Sequence, residues 1–180
     1  MKCKYLLSLL FILTIIELIS GCSQNPTEPE FVNSFFPLEV GNKWYYNSSY
    51  PETSTITDVW AIIDNKNIVN KNYFMVIEQN LNANNKDTIY YRINGDTLFS
   101  KTKNYDEQIE ADFHLNLNET AYWRNDLKVV EKTEDRITFE TPFGGDYGYR
   151  VTFKKGIGIS NLVSNGWVYR SLKLIKAEIK

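Results

Sequence analysis

The body of this chain reads as an all-β domain: a single antiparallel meander of about nine or ten strands forming a curved sheet or partly closed barrel. Three observations predict it. Tyr, Phe, Ile, Val and Thr are plentiful while Ala and Met are scarce, a balance that suits pleated, half-buried surfaces better than helices. From Phe31 onward there is no long apolar repeat of helical period. Short runs alternate apolar with polar residues instead, separated by Asn, Gly, Asp and Lys clusters every eight to twelve residues. Consecutive runs can pair through short turns, so no helical crossover is required.

The elements follow in order. Residues 59–63 are apolar on both faces, which places that strand centrally or at a register-shifting bulge. Asp64-Asn65-Lys66-Asn67 and residues 82–86 read as loose turns. In 88–93, Ile89, Tyr91 and Ile93 face one way while Thr88, Tyr90 and Arg92 face the other. Asn94-Gly95 then suits a two-residue type I′ turn into 96–101, because both central positions need positive φ. Residues 106–114 read as a helical turn or a loop lying across the sheet.

The second half repeats the pattern. Residues 132–135 turn between runs 127–131 and 136–141, where Ile137 and Phe139 oppose Arg136, Thr138 and Glu140. In 147–154, Tyr147, Tyr149, Val151 and Phe153 oppose Gly148, Arg150, Thr152 and Lys154. Phe143-Gly144-Gly145-Asp146 lies between two strand runs and reads as a hairpin loop; no helix N-terminus is at hand to hold a phosphate. Residues 167–179, apolar on both faces near 172–175, form a further central or bulged strand.

Ahead of this domain stands a targeting segment. Lys2 and Lys4 precede an apolar stretch over residues 5–16, and small residues Ser20-Gly21 come before Cys22. That is the charge, hydrophobe, small-residue order of a secretory signal. Glu17 limits the uninterrupted apolar core to about twelve residues, too few to span a bilayer as a permanent helix. Ile19-Ser20-Gly21-Cys22 resembles the bacterial lipobox. The resemblance implies acylation of the Cys22 thiol and cleavage between Gly21 and Cys22. Residues 1–21 are then the signal peptide, 22–34 a polar, proline-containing tether, and 35–180 the β-domain. The expected location is the bacterial cell envelope, with the membrane as partner through the lipid. Ser23, where a retention signal has Asp, points to the outer membrane in a Gram-negative cell.

Composition removes several classes of function. The full chain has 20 basic and 22 acidic side chains; losing Lys2, Lys4 and Glu17 with the signal leaves 18 and 21. With no basic excess and no Lys or Arg run, no electrostatic footprint for nucleic acid or anionic lipid is present. Cys3 departs with the signal and Cys22 is acylated, so no thiol remains for a disulfide, metal or nucleophile.

The opening Phe36-Pro37-Leu38-Glu39-Val40-Gly41-Asn42-Lys43-Trp44-Tyr45-Tyr46 is similar to that of many uncharacterised secreted bacterial lipoproteins, which begin their first strand with Pro-Leu…Gly-Asn-x-Trp-x-Tyr. Those proteins often continue with a tyrosine-rich strand, a Gly-Ile/Val-Gly turn and a final apolar strand. Residues 147–153, Gly156-Ile157-Gly158 and 171–179 correspond here. The resemblance implies a meandering β-sheet and is nearly silent on activity. Physically, Gly41 suits a tight turn, Trp44 plugs the start of the sheet, and Gly156 and Gly158 let the chain bend closely.

No catalytic constellation assembles. His114 stands alone, whereas a zinc site needs three or four protein ligands, and no nucleophile elbow accompanies it. Asp106, Glu107, Glu110 and Asp112 lack calcium-loop spacing and read as a solvated face. The domain therefore reads as non-enzymatic, without cofactor or metal. Trp44, Trp60, Trp123 and Trp167 are the candidate ligand-facing aromatics, though strand aromatics more often build core. The leading expectation is a lipid-anchored binding or scaffolding domain. The alternatives are a carrier holding lipid or lipoprotein in an apolar concavity, and a hydrolase using the acidic stretch.

Overall fold

The eleven strands found in the computed structural model join into one antiparallel sheet; residues 34–48, 54–120, 127–141, 148–165 and 170–180 are described. The first six are β1 (Lys43–Asn47), β2 (Asp58–Ile68), β3 (Lys71–Asn80), β4 (Asn85–Asn94), β5 (Thr97–Lys101) and β6 (Gln108–Asp112). The remainder are β7 (Lys128–Lys132), β8 (Arg136–Glu140), β9 (Gly148–Lys154), β10 (Gly158–Asn165) and β11 (Arg170–Glu178). They lie in the order β6-β5-β4-β3-β2-β1-β11-β10-β9-β8-β7. The meander is therefore joined at its centre by pairing of the first strand with the last. β6 and β7 form the two edges. All described residues belong to one compact unit.

Side-chain contacts show that the sheet is rolled. Phe36, from the segment before β1, stacks on Trp44 of β1 at 5.3 Å between ring centroids. The same ring lies 5.3 Å from Tyr91 of β4 and 6.2 Å from Phe153 of β9. β4 and β9 are six steps apart in the sheet, which would be about 29 Å if it were flat. One phenyl ring touches both only because the strands curl around it. Register shifts at Tyr45/Tyr46, Ile62/Asp64, Leu98/Phe99, Val129/Glu131 and Ile159/Asn161 supply local bends along the way.

The rolled edges are not joined by a β6–β7 ladder among the described residues. Residues 113–120 run between them as a strap. Phe113 packs on Phe139 of β8 and Phe153 of β9, at 6.3 and 5.1 Å. Farther along, Asn118 N–H donates to the Val129 carbonyl at 2.8 Å, and Val129 N–H donates to that of Glu119 at 3.0 Å. The Lys132 ammonium donates to the carbonyls of Phe113 and Leu115, tying the strap to β7.

Several expected elements stand and others move. The inward phases of β4, β8 and β9 hold, with Tyr91, Ile137, Phe139, Val151 and Phe153 buried in the interior, but the opposite face of β8 is not wet throughout, because Thr138 is buried and bonded to Thr152. The 59–63 run lies in β2, between β1 and β3, and carries the Ile62/Asp64 bulge. The turn placed at 64–67 does not exist. β2 continues through those residues to Ile68, cross-strand partners such as Asn67 and Asn72 extend the ladder, and the turn falls at Val69-Asn70. The β4–β5 turn is shifted by one residue. Asn94 pairs with Thr97, so Gly95-Asp96 are central, and positive φ is found at Gly95 (58°) alone of the two. That pattern is type II′, which needs glycine first, and not type I′. Residues 106–114 are neither helix nor overlying loop throughout, because Gln108–Asp112 pair with β5 as β6. The Phe143-Gly144-Gly145-Asp146 loop and Tyr147 lie outside the described residues.

Candidate functional site

The rolled sheet has an entry end, where β1 begins and the β2–β3, β4–β5, β7–β8 and β9–β10 turns gather, and an opposite end. The entry end is filled by the chain itself. Gly156 N–H donates to the Ser34 carbonyl at 2.8 Å, fixing the start of the described chain beside the β9–β10 turn. Phe35 stacks on Phe113 at 5.1 Å, while Phe36 and Leu38 are completely buried. Trp44 closes over them with its indole N–H donating to the Ile157 carbonyl. Gly158, at φ 103°, leaves the space that Phe36 and Trp44 occupy.

Toward the opposite end the interior becomes polar. Trp44, Trp60 and Glu78 form one cross-strand row on β1, β2 and β3. Glu78 follows Phe74 and Val76 on the inward face of β3, which buries a carboxyl group. Arg170 Nη2 of β11 donates to Glu78 Oε2 at 3.2 Å, and its guanidinium carbon lies 5.6 Å from the Trp60 ring centre. Tyr46 packs on Trp60 at 5.2 Å and donates its hydroxyl to the Ile159 carbonyl at 3.0 Å. The Trp60 indole nitrogen is buried with no hydrogen-bond partner among the described residues. Burial holds the Glu78 carboxyl above its ordinary range, with Arg170 pulling the other way. Burial likewise pushes the Tyr46 and Tyr91 hydroxyls well up. The members of this cluster are packed against one another.

A second ionic cluster lies on the outer face. Glu107 accepts from Arg92 Nε at 2.6 Å and Nη2 at 2.7 Å, from Lys71 at 2.8 Å, and from the Tyr73 hydroxyl. The fork from Arg92 is the main reason that the Glu107 carboxyl sits far below its usual range. Arg92 also lies 3.9 Å from the Phe99 ring centre. Together these groups cover Tyr73, which is buried although it points away from the interior.

No family model, curated protein or solved structure matches the chain.

Trp44 and Trp60 both face the interior and are buried, so neither presents a ring to solvent. Trp123 and Trp167, together with Gly21 and Cys22, lie outside the described residues. His114 is exposed, with Nδ1 3.7 Å from Asp96. The acidic stretch is divided rather than gathered: Glu107 holds Arg92, Glu110 accepts from Ser100, and Asp112 accepts from the His114 N–H. No group of three or more metal-ligating side chains is assembled among the described residues.

Sequence reasoning missed three features. Glu78 left a signal, being an acid in the inward phase of an otherwise apolar run. Arg92 and Glu107 left none, because the loop that brings them together has no fixed spacing. Val69 was missed because the turn was placed in 64–67. At φ 49° with Asn70 at φ 60°, it completes a type I′ turn, and it is 86% exposed.

Proposed function

We propose that this protein is a bacterial envelope lipoprotein, acylated on Cys22, whose β-domain works by binding or scaffolding at its surface and not by catalysis. One observation carries the reading: the charged, apolar and small-residue order of residues 1–21 ends in Ile19-Ser20-Gly21-Cys22. The polar segment that follows leads into the β-domain. In a Gram-negative cell, Ser23 favours the outer membrane.

The packing of the interior supports surface binding over the carrier alternative. A carrier needs an apolar concavity for acyl chains. Here Phe36, Leu38 and Trp44 are buried on the concave side, and Phe36 makes ring contacts to Tyr91 of β4 and Phe153 of β9. The hydrolase alternative draws no support from the acidic stretch, whose carboxylates are engaged in separate local bonds.

Metabolic labelling with an alkyne fatty acid tests the anchor. The wild-type chain should take up label and fractionate with membranes, while Cys22→Ser should do neither. Equal membrane association of the two forms would end the lipoprotein reading.

A further inference from the structure

The β2–β3 hairpin breaks a local rule. Ile68 pairs with Lys71 across a two-residue turn, and both turn residues, Val69 and Asn70, have positive φ. Asn tolerates that conformation. A β-branched side chain does not, and as an apolar group it is normally sheltered from water. Val69 is nonetheless 86% exposed, so little burial offsets either cost. An exposed apolar side chain held in a strained conformation at a hairpin tip points to an external contact.

The position of the tip identifies what it meets. β1 runs away from the entry end and β2 returns toward it, so Val69 lies at the same end as Ser34, the first described residue of the domain. Ala61 is the last β2 residue paired with β1, and the strand continues seven residues to Ile68. That is an extension of about 23 Å. Cys22 precedes Ser34 by twelve residues. Such a tether spans about 40 Å when fully extended and about 20 Å as a coil. The protruding tip and the tether therefore have matching reach.

Lys66 flanks the tip with Asn67, Asn70 and Asn72, while the Lys71 ammonium is held by Glu107. The long apolar stem and charged head of Lys66 suit the boundary between acyl chains and headgroups. We propose that the Val69 tip of the β2–β3 hairpin inserts into the bilayer surface that holds the Cys22 lipid, orienting the domain with its entry end toward the membrane. The inference rests on the lipoprotein reading. One hairpin tip does not hold a protein on a membrane by itself; it sets the posture of a domain that acyl chains already hold.

A fluorophore placed at the tip tests this. Val69→Cys removes the β-branch and puts the only free thiol in the acylated, signal-cleaved chain. Leu81→Cys, in the β3–β4 turn at the opposite end, is the reference. Each protein is labelled with an environment-sensitive dye and reconstituted into vesicles of phosphatidylethanolamine and phosphatidylglycerol. Position 69 should shift to the blue and lose about half its emission to nitroxide-labelled lipid, while position 81 stays unchanged. If the protein floats with the vesicles and both positions report water, the tip does not insert. Shielding at 69 in native membranes but not in pure lipid would assign the tip to a protein partner and overturn the proposal equally. Failure to float at all would remove the lipid anchor itself, and this inference with it.

Discussion

Phe36 stacks on Trp44 with their ring planes 5° from parallel, and an added Cβ on Gly158 would lie 3.1 Å from both side chains. This contact ties the segment entering the domain to β1 and to the first residue of β10. It also places the chain's own rings on the concave side of the sheet.

Two substitutions probe that contact. Phe36→Ala should cost about 3–5 kcal/mol, as expected for emptying a ring from a packed core. Gly158→Ala should cost about 1–3 kcal/mol, since φ 103° strains any residue with a Cβ and the new methyl meets both rings. Urea unfolding followed through tryptophan fluorescence measures both. A Gly158→Ala midpoint equal to wild type would mean that the two rings give way freely.

Glu107 should govern part of the acid limb of stability. Its carboxyl is held low in the folded protein, chiefly by Arg92, and returns to about 4.3 when the chain unfolds. The stabilisation is therefore complete above that value and drains away as pH falls toward the folded one. Glu107→Gln should flatten this limb, and Arg92→Lys, which loses the two-pronged bond, should cost about 1 kcal/mol at neutral pH. Unfolding midpoints between pH 3 and 7 test the slope. An unchanged acid limb in Glu107→Gln would refute the assignment.

Glu78 should act with the opposite sign. Burial raises its carboxyl, so the folded chain keeps a proton at pH values where the unfolded chain has lost it. Stability from this group is greatest below about 4.3 and declines as pH rises through the folded value. Glu78→Gln should accordingly gain on the wild type as pH increases, whatever its absolute stability. Denaturation midpoints of both proteins at pH 4.5 and 7.5 decide it, and a constant difference would count against the shift.

Val69→Asn should stabilise the domain by about 1 kcal/mol, because Asn accepts the left-handed conformation that Val resists. Thermal unfolding of the two proteins, each free of membrane, gives the comparison. A destabilised Val69→Asn would show that Val69 packs within the fold.

The alternating runs were legible in the sequence because inward residues of a half-buried strand repeat every second position. Tyr91, Ile137, Phe139, Val151 and Phe153 all take the phase that their neighbours imply. Turns were less legible. Asp64-Asn65-Lys66-Asn67 has turn composition, yet the ladder carries it onward as strand to a Val-Asn tip that composition disfavours. Glu78 was visible as an acid in an apolar phase. Its partner Arg170 stands 92 residues away, and only the pairing of β1 with β11 brings their strands near.

By itself the sequence determined that the chain builds an antiparallel β-domain, with an expected lipid attachment at Cys22. Periodicity and short-range order carry that information, and both are local. Tertiary structure decided that the sheet rolls around Phe36, that residues 113–120 strap its edges, and that Val69 is left outside. Those outcomes depend on which distant surfaces compete for the same interior, and burial is settled only when every strand has taken its place.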